Sequence, residues 1–399
     1  MLPARSRKEA LKCRISNKPY RLCTMKAHGF SAEKFRVFFL PQKPYMNDLS
    51  ELSKKRKKQT LIILVLAAAV IVLAFVCLFV GSSRMTIAEC FAALAKKGSA
   101  AKIRIIWNIR IPRVLAAIIA GAGLSLSGLV MQTNLNNPMA SPSTLGVSNA
   151  AVFGANLSII AFAGGFLSTG NNLTSYTVGA NPYATSMVAF LFSTLSILLI
   201  LGLCRLKAFQ PGVVVLAGIA IGSVWTAGTT ILQFYATDVG LSAAVIWTFG
   251  DLGRATYRTD LIMATVVTAG LVFFRVISWH LNALLSGDAA AKSMGVSVDL
   301  LRFSCMLLAS VITAVCVSFL GIIGFVGIIC PHVIKRILGH DHRVSIPASA
   351  LAGSLLLLLA DTFSRSMGNG SALPVGAITS LLGAPFFVAV IFSRKGGNT

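Results

Sequence analysis

Apolar residues run through this chain in stretches far longer than a half-buried helix or strand needs. Leu61–Val80 is the clearest, twenty residues without a charge. A helix needs about 20 such residues to cross ~30 Å of hydrocarbon. Backbone groups in lipid must be satisfied internally, so membrane spans are helices or closed barrels. Barrel strands alternate apolar and polar positions, and these runs do not. The pattern predicts ten helical spans, over roughly 61–80, 112–132, 143–166, 184–204, 211–235, 259–280, 298–318, 324–338, 346–366 and 374–393. The eighth, GIIGFVGIICPHVIKRILG, is short and interrupted by Gly and Pro. It reads as a broken or partly re-entrant helix, which a membrane tolerates only under the cover of protein or a cavity. The longest connection, 81–111, is predicted to hold a short amphipathic helix, Ile87–Lys96. The fold class is therefore all-α and polytopic, with no room for a soluble domain.

Composition sharpens this reading. Of 399 residues 55% are hydrophobic and 12% charged, against about 25% charged in soluble domains, and mean hydropathy is +0.78. The net charge of +24 raises the question of a nucleic-acid partner, but its distribution answers it. Residues 1–59 hold sixteen Lys/Arg against four acidic residues, and the remaining excess lies in short loops, as cytoplasmic loops require. No nucleic-acid partner is expected. Residues 1–59 are expected to form a basic, disordered cytoplasmic tail ahead of a transmembrane domain over 60–395. Residues 1–45 have no periodicity and no signal-peptide core, and Met46 opens a more ordinary sequence, so a start there is an alternative. Lys54–Lys58 put the N-terminus in the cytoplasm, and ten spans return Arg394–Lys395 to the same side. The loop 81–110, on the opposite side, breaks the rule with Arg84, Lys96, Lys97, Lys102, Arg104 and Arg110.

The chain carries no engine of its own. It has no G-x-x-x-x-G-K-[ST] phosphate cradle and no HExxH. His332, His340 and His342 cluster near the end of the eighth span, where interfacial polar roles are favoured over a metal site. The eight Cys include no CxxC pair and read as small apolar packing residues. Ion-driven carriers place carboxylates inside the membrane. Here Asp361 alone lies well inside a span, and Arg365 four residues later can pair with it on one helix face. An internal ion pair is preferred to a proton relay, and a permease that borrows its energy from a partner fits the absence of either engine.

Several long motifs then point one way. IRIPRVLAAIIAGAGLSLSGLVMQTNLNNPMASPSTLGVSNAA (109–151) resembles the signature of the FecCD-type permeases, the membrane subunits of ABC importers for iron–siderophores, haem and cobalamin. WTFGDL (247–252), LNALLSGDAAAKSMGV (281–296), GFVGIICPHVIKRILGHDHR (324–343), LADTFSR (359–365) and LPVGAITSLLGAPFFVAVI (373–391) match in order, so the resemblance covers about 60–393. It implies a type II ABC importer permease with ten helices per subunit. It also implies a second permease subunit, identical or not, two P-loop ATPase subunits that carry the ATP and Mg, and an extracellular or periplasmic substrate-binding protein. No cofactor is expected on this chain. The setting implied is a bacterial cytoplasmic membrane with both termini inside, and the first-choice cargo is an iron–siderophore, followed by haem and cobalamin. The rival class is an ion-coupled secondary transporter working through Asp361.

The resemblance also assigns residues. Arg110, Arg113 and Arg365 stand where the family docks glutamates of the binding protein. Snorkelling interfacial arginines are the alternative for the first two, and pairing with Asp361 competes for the third. Asn137, Pro138 and Met139, with Gln210 and Pro211 in a second loop, stand where the family forms its cytoplasmic gate; an ordinary tight loop is the alternative. Gly287, Asp288, Ala289, Ala290, Ala291, Met294 and Gly295 match the segment that couples to the ATPase. Two departures from the family pattern touch its two faces: Ser141 replaces a frequent acidic residue, and Ala372 replaces a frequent Glu.

Overall fold

The computed structural model describes residues 45–81, 85–162, 181–205, 211–367 and 373–393. The chain divides into two units between Ile62 and Ile63. The first described helix, α1 (Tyr45–Phe79), starts well ahead of the apolar run. This corrects the expectation of disorder through residue 59. Lys, Arg, Glu and Leu are good helix formers, and an apolar span directly downstream supplies the helix that they extend. The expected tail up to residue 44 lies outside the described residues.

In the second unit the helices are α2 (Ile87–Leu94), α3 (Ala100–Arg104), α4 (Ile111–Asn134), α5 (Val147–Asn156), α6 (Pro182–Arg205), α7 (Pro211–Phe234), α8 (Asp238–Thr248), α9 (Tyr257–Val276), α10 (Ser278–Leu284), α11 (Asp288–Ser293), α12 (Val298–Leu320), α13 (Val326–Leu338), α14 (His342–Met367) and α15 (Val375–Ser393). Each of the ten predicted spans falls on a described helix, with residues 163–166 of the third lying outside the described residues. Seven described helical segments are long and apolar enough to cross a membrane; the segments at α5, α13 and α15 are shorter or interrupted. The amphipathic α2 is present, closed by a capping box between Thr86 and Glu89, in which each residue satisfies a backbone donor of the other.

α4 and α14 form the antiparallel centre. At one end Arg113 meets Asp361. Further along, Ser354 Oγ donates to the Ile118 carbonyl at 2.7 Å and Ser125 Oγ to the Ser349 carbonyl at 2.7 Å. At the other end Thr133 meets His342. Gly121 and Gly353 face each other so closely that a methyl on either would enter the other's backbone. Small residues are what permit such an approach between membrane helices. The two ends of this pair serve as landmarks below: the arginine end, where α4 begins, and the loop end, where it finishes.

The eighth span is broken, as its sequence predicts. α12 stops at Leu320, and Gly321 takes φ +80°, placed where any Cβ would lie 2.7 Å from the Trp247 carbonyl. Five non-helical residues follow before α13 starts beside the middle of α4, with Gly327 against Leu124 and Gly128. The exposed backbone finds partners. Asp251 N donates to the Leu320 carbonyl at 2.9 Å and Val375 N to the Gly250 carbonyl at 2.8 Å, while Phe249 and Ile322 form a bridge. Irregular backbone is thus covered by protein, the condition for keeping it at membrane depth.

Candidate functional site

The arginine end is organised around charge. α3 runs into a π-helical turn, Ile105–Arg110, before α4 begins with Pro112 in its first turn. A π turn carries more residues than an α turn and re-aims the side chains it holds. Arg110 and Arg113 therefore reach different partners. Arg110 Nη1 donates to the carbonyls of Leu78 (2.7 Å) and Phe79 (3.3 Å). Arg365 Nη1 donates to those of Cys77 (3.0 Å) and Val80 (2.7 Å). The last carbonyls of a helix have no partner within it, and cations are favoured at that negative end; two arginines from α14 and the π turn close the end of α1. Gly81 leaves the room, since a Cβ there would stand 2.8 Å from the Arg110 guanidinium.

Asp361 faces the guanidinium groups of Arg113 and Arg365. Arg113 Nε donates to its Oδ1 at 2.7 Å, and Arg365 Nη2 lies 2.9 Å from its Oδ2, at ion-pair distance without hydrogen-bond alignment. Asp361 is fully buried, Arg113 is 8% exposed, Arg365 7% and Arg110 4%. Asp251, at the mouth of the cluster, stands 3.7 Å from Arg113 Nη2. The predicted Asp361–Arg365 contact is present within a larger cluster. Arg110 and Arg113 both turn inward rather than out to solvent. Much of the anomalous positive charge of the 81–110 loop is likewise engaged, with Lys102 on Glu89 at 2.6 Å and Lys96 over the Trp107 ring.

The loop end gathers the remaining assigned residues. α11 is a single exposed turn and a half between Gly287 (φ +95°) and Gly295 (φ +83°). Both take a backbone conformation that costs other residues energy. Ala289 and Met294 face outward and Ala291 is buried. Asp288 pairs with Arg302 of α12 at 2.8 Å. Between α4 and α5 the chain turns at Asn136 (φ +44°), and Asn137 Oδ1 accepts from Met139 N at 3.0 Å. Asn137 and Pro138 line a cavity of about 500 Å³ with Lys335, Arg336, His332 and His340. Pro211 opens α7 at this same end, whereas Gln210 lies outside the described residues.

A second groove of about 500 Å³ runs along α7. Ser143, Thr144, Asn149, Ser223, Thr226 and Thr230 line it together with Gly146, Gly218 and Gly222. With Ile219 and Ala227 added, its lining among the described residues holds hydroxyls, an amide, apolar groups and bare backbone but no ionisable side chain. Asn149 Nδ2 bridges the two walls, donating to the Gly222 carbonyl and Thr226 Oγ1. Such a wall offers many weak, replaceable contacts and no fixed charge.

The family model of the FecCD transport family matches residues 68–393. The chain belongs to that family. A Methanocaldococcus jannaschii protein named as an ABC transporter permease is 46% identical over 315 residues, which cover 79% of this chain and 89% of that one. The hemin transport system permease of Yersinia pestis is 32% identical over 82% of this chain and 95% of its own length. The cobalamin import system permease of Halobacterium salinarum is 34% identical over 73% and 74%. Among solved structures, an inward-facing metal-chelate type ABC transporter aligns with a TM-score of 0.70 at 26% identity, over 84% of this chain and 99% of that one. The FecCD permease described here is thus a multi-pass transport subunit with the fold of a type II ABC importer permease.

Two features of this permease have no signature in its sequence. Arg113 and Asp361 are 248 residues apart, and nothing in their local patterns marks them as partners. The closure of α1 by Arg110 and Arg365 depends on the π turn, which composition does not announce.

Proposed function

We propose that this permease forms, with a second permease subunit, the pathway of a binding-protein-dependent importer for an iron chelate, and that it works by alternating access. Two P-loop ATPase subunits carry the ATP and Mg, so this chain binds no cofactor and performs no bond chemistry. The names of its relatives, hemin, Fe(3+)-citrate and cobalamin permeases, mark the range of cargo. An iron–siderophore is the first choice within it, with haem and cobalamin as alternatives. The observation that carries the reading is α11, a small-residue helix exposed at the loop end, hinged at two glycines and tied to α12 through Asp288–Arg302. It fits a groove on an ATPase and has a direct link to a membrane helix.

In this reading the loop end faces the cytoplasm, with both termini, and the arginine end faces the binding protein. Asn137, Pro138 and Met139, with Gln210 and Pro211, narrow the cytoplasmic exit. The polar groove on α7 is the wall along which a large chelate slides. Arg110, Arg113 and Arg365 serve docking through their field. Three guanidinium groups stand against two carboxylates, Asp361 and Asp251, and the surplus attracts acidic side chains to that face. Asp361, the carboxylate the sequence singles out for an ion-coupled carrier, is enclosed by two arginines, which favours the ATP-driven class.

The test is affinity purification of the tagged chain in mild detergent, with mass spectrometry of what accompanies it. A co-purifying P-loop ATPase is expected, and any binding protein recovered identifies the cargo by the chelate it holds. A chain that purifies alone and still moves substrate in liposomes without ATP would overturn the proposal.

A further inference from the structure

Between the last long span before α11 and α11 itself lies α10, seven residues whose contacts the transport reading has not used. Asn282 of α10 commits its whole amide to the start of α14. Its Oδ1 accepts from the backbone N–H of His342 at 2.8 Å and lies 2.7 Å from His342 Nδ1. Its Nδ2 donates to Asp341 Oδ1 at 2.8 Å, the same oxygen that accepts from Arg343 N. One turn earlier, the Trp279 ring lies under the Arg343 guanidinium, 3.1 Å from it. The His342 ring is fully buried, and its Nε2 is 2.8 Å from Thr133 Oγ1 of α4. One imidazole therefore joins three helices, α10 through one nitrogen, α4 through the other and α14 through its backbone.

We propose that Asn282 and His342 are the positioning residues through which α11 moves the α4–α14 pair. The proposal rests on the importer reading and extends it to named contacts. α11 has two attachments, Asp288–Arg302 to α12 after it and the Asn282–His342–Thr133 chain to α14 and α4 before it. Gly287 provides the hinge between α10 and α11. Beyond His342, α4 and α14 are locked by Ser125–Ser349, by Gly121 against Gly353, by Ser354–Ile118 and finally by Arg113–Asp361. A displacement applied at His342 is carried by that packed pair to the arginine end, because close-packed interiors transmit strain.

The experiment uses the complex of this chain with its co-purified ATPase, in a background with Cys13 and Cys23 changed to Ser; the six described cysteines are all buried. Phe363→Cys, at an exposed site on α14 near Asp361, is labelled with a maleimide in nucleotide-free and ATP–vanadate states. The labelling rate is expected to differ between states in the otherwise unchanged chain. Coupling between sites is typically worth 5–150-fold, and Asn282→Ala and His342→Ala are each expected to shrink the difference by roughly fivefold or more. The double variant should lose no more than either alone, and His342→Gln, which can bridge both partners, should restore part. If the alanine variants fail to assemble, Trp279→Ala carries the test, since that ring is mostly exposed and its loss should weaken the same response. An undiminished response in the variants that assemble overturns the joint. No nucleotide response in the otherwise unchanged chain overturns the importer reading and the joint with it.

Discussion

Asp361→Asn isolates the charge at the arginine end from the shape of the side chain. Asparagine fills the same volume but leaves Arg113 and Arg365 facing a neutral amide, both still less than a tenth exposed. Arg365 keeps the carbonyls of Cys77 and Val80. Arg113 keeps only the more distant Asp251 carboxylate, at 3.7 Å. Removing one partner of a buried ion pair costs about 3–5 kcal/mol, because a charge is left buried and uncompensated. The one aligned charge-assisted hydrogen bond, Arg113 Nε to Asp361 Oδ1, accounts for about 1.5–3 kcal/mol of that. Thermal unfolding in detergent, followed with a dye that reacts with the buried Cys77, Cys305, Cys316 and Cys330 as they open, should show a fall on the order of 5 °C or more. Arg113→Met alone should also destabilise. Combined with Asp361→Asn it removes one stranded charge, so the double variant should be more stable than the sum of the singles predicts by about 1–3 kcal/mol. If Asp361→Asn melts with the parent, or if the two losses simply add, the buried-charge argument is wrong.

Two further predictions concern packing and the joint at the loop end. Gly128→Ala should destabilise by about 1–3 kcal/mol or more, since overpacking forces backbone to move and the new methyl would land on the Gly327 backbone; the same cysteine-dye melt reads it. At Asp341, burial pushes the carboxyl's pKa up, but the Asn282 amide and the Arg343 N–H and guanidinium outweigh it and hold it below the usual value. A lowered folded-state pKa contributes stability that is present above the unfolded value, about 3.9, and is lost as pH falls through the folded value. Asp341→Asn should therefore lower the melting temperature at pH 7, with the difference closing below about pH 4; a difference that persists unchanged in acid would contradict it.

The parts legible in the sequence are those fixed by one-dimensional pattern. Ten spans could be placed because each had to satisfy lipid along its own length. The break in the eighth was visible in the glycines and proline between Gly321 and Pro331. The Gly287–Gly295 segment was picked out by resemblance alone, and its two glycines flank α11 at φ +95° and +83°. The Asp361–Arg365 contact was visible because it lies one helical turn apart. What could not be read was set by how helices rotate against each other. Arg110 and Arg113, three residues apart, looked like neighbours on one face; the π turn sends one to α1 and the other to α14. Lys54–Lys58 looked like the end of a tail, yet they lie within the helix that continues into the first span.

The two ends of the molecule distribute polar groups in opposite ways, and this bears on how a motion would travel. At the arginine end the charges are buried and paired, with Arg113 Nη2, Arg365 Nη2 and Asp361 Oδ2 lacking aligned hydrogen bonds, and α1, the π turn, α4 and α14 meet there through five guanidinium contacts. Separating them would expose charges that the interior cannot solvate, so this end moves as a block. At the loop end the ion pair that ties α11 to α12 is partly exposed. Asp288 is half exposed, and an ion pair in contact with solvent contributes about 0–1 kcal/mol. Such a link can be remade in each cycle at little cost. The rigid charge cluster and the yielding loop contacts are joined by the small-residue seam of α4 and α14, where glycine and the short, hydrogen-bonded serine side chains leave little to absorb a displacement. On the proposed coupling through α11, compliance is needed where the force enters and stiffness beyond it, and the half-exposed Asp288–Arg302 pair and the α4–α14 seam stand in that order.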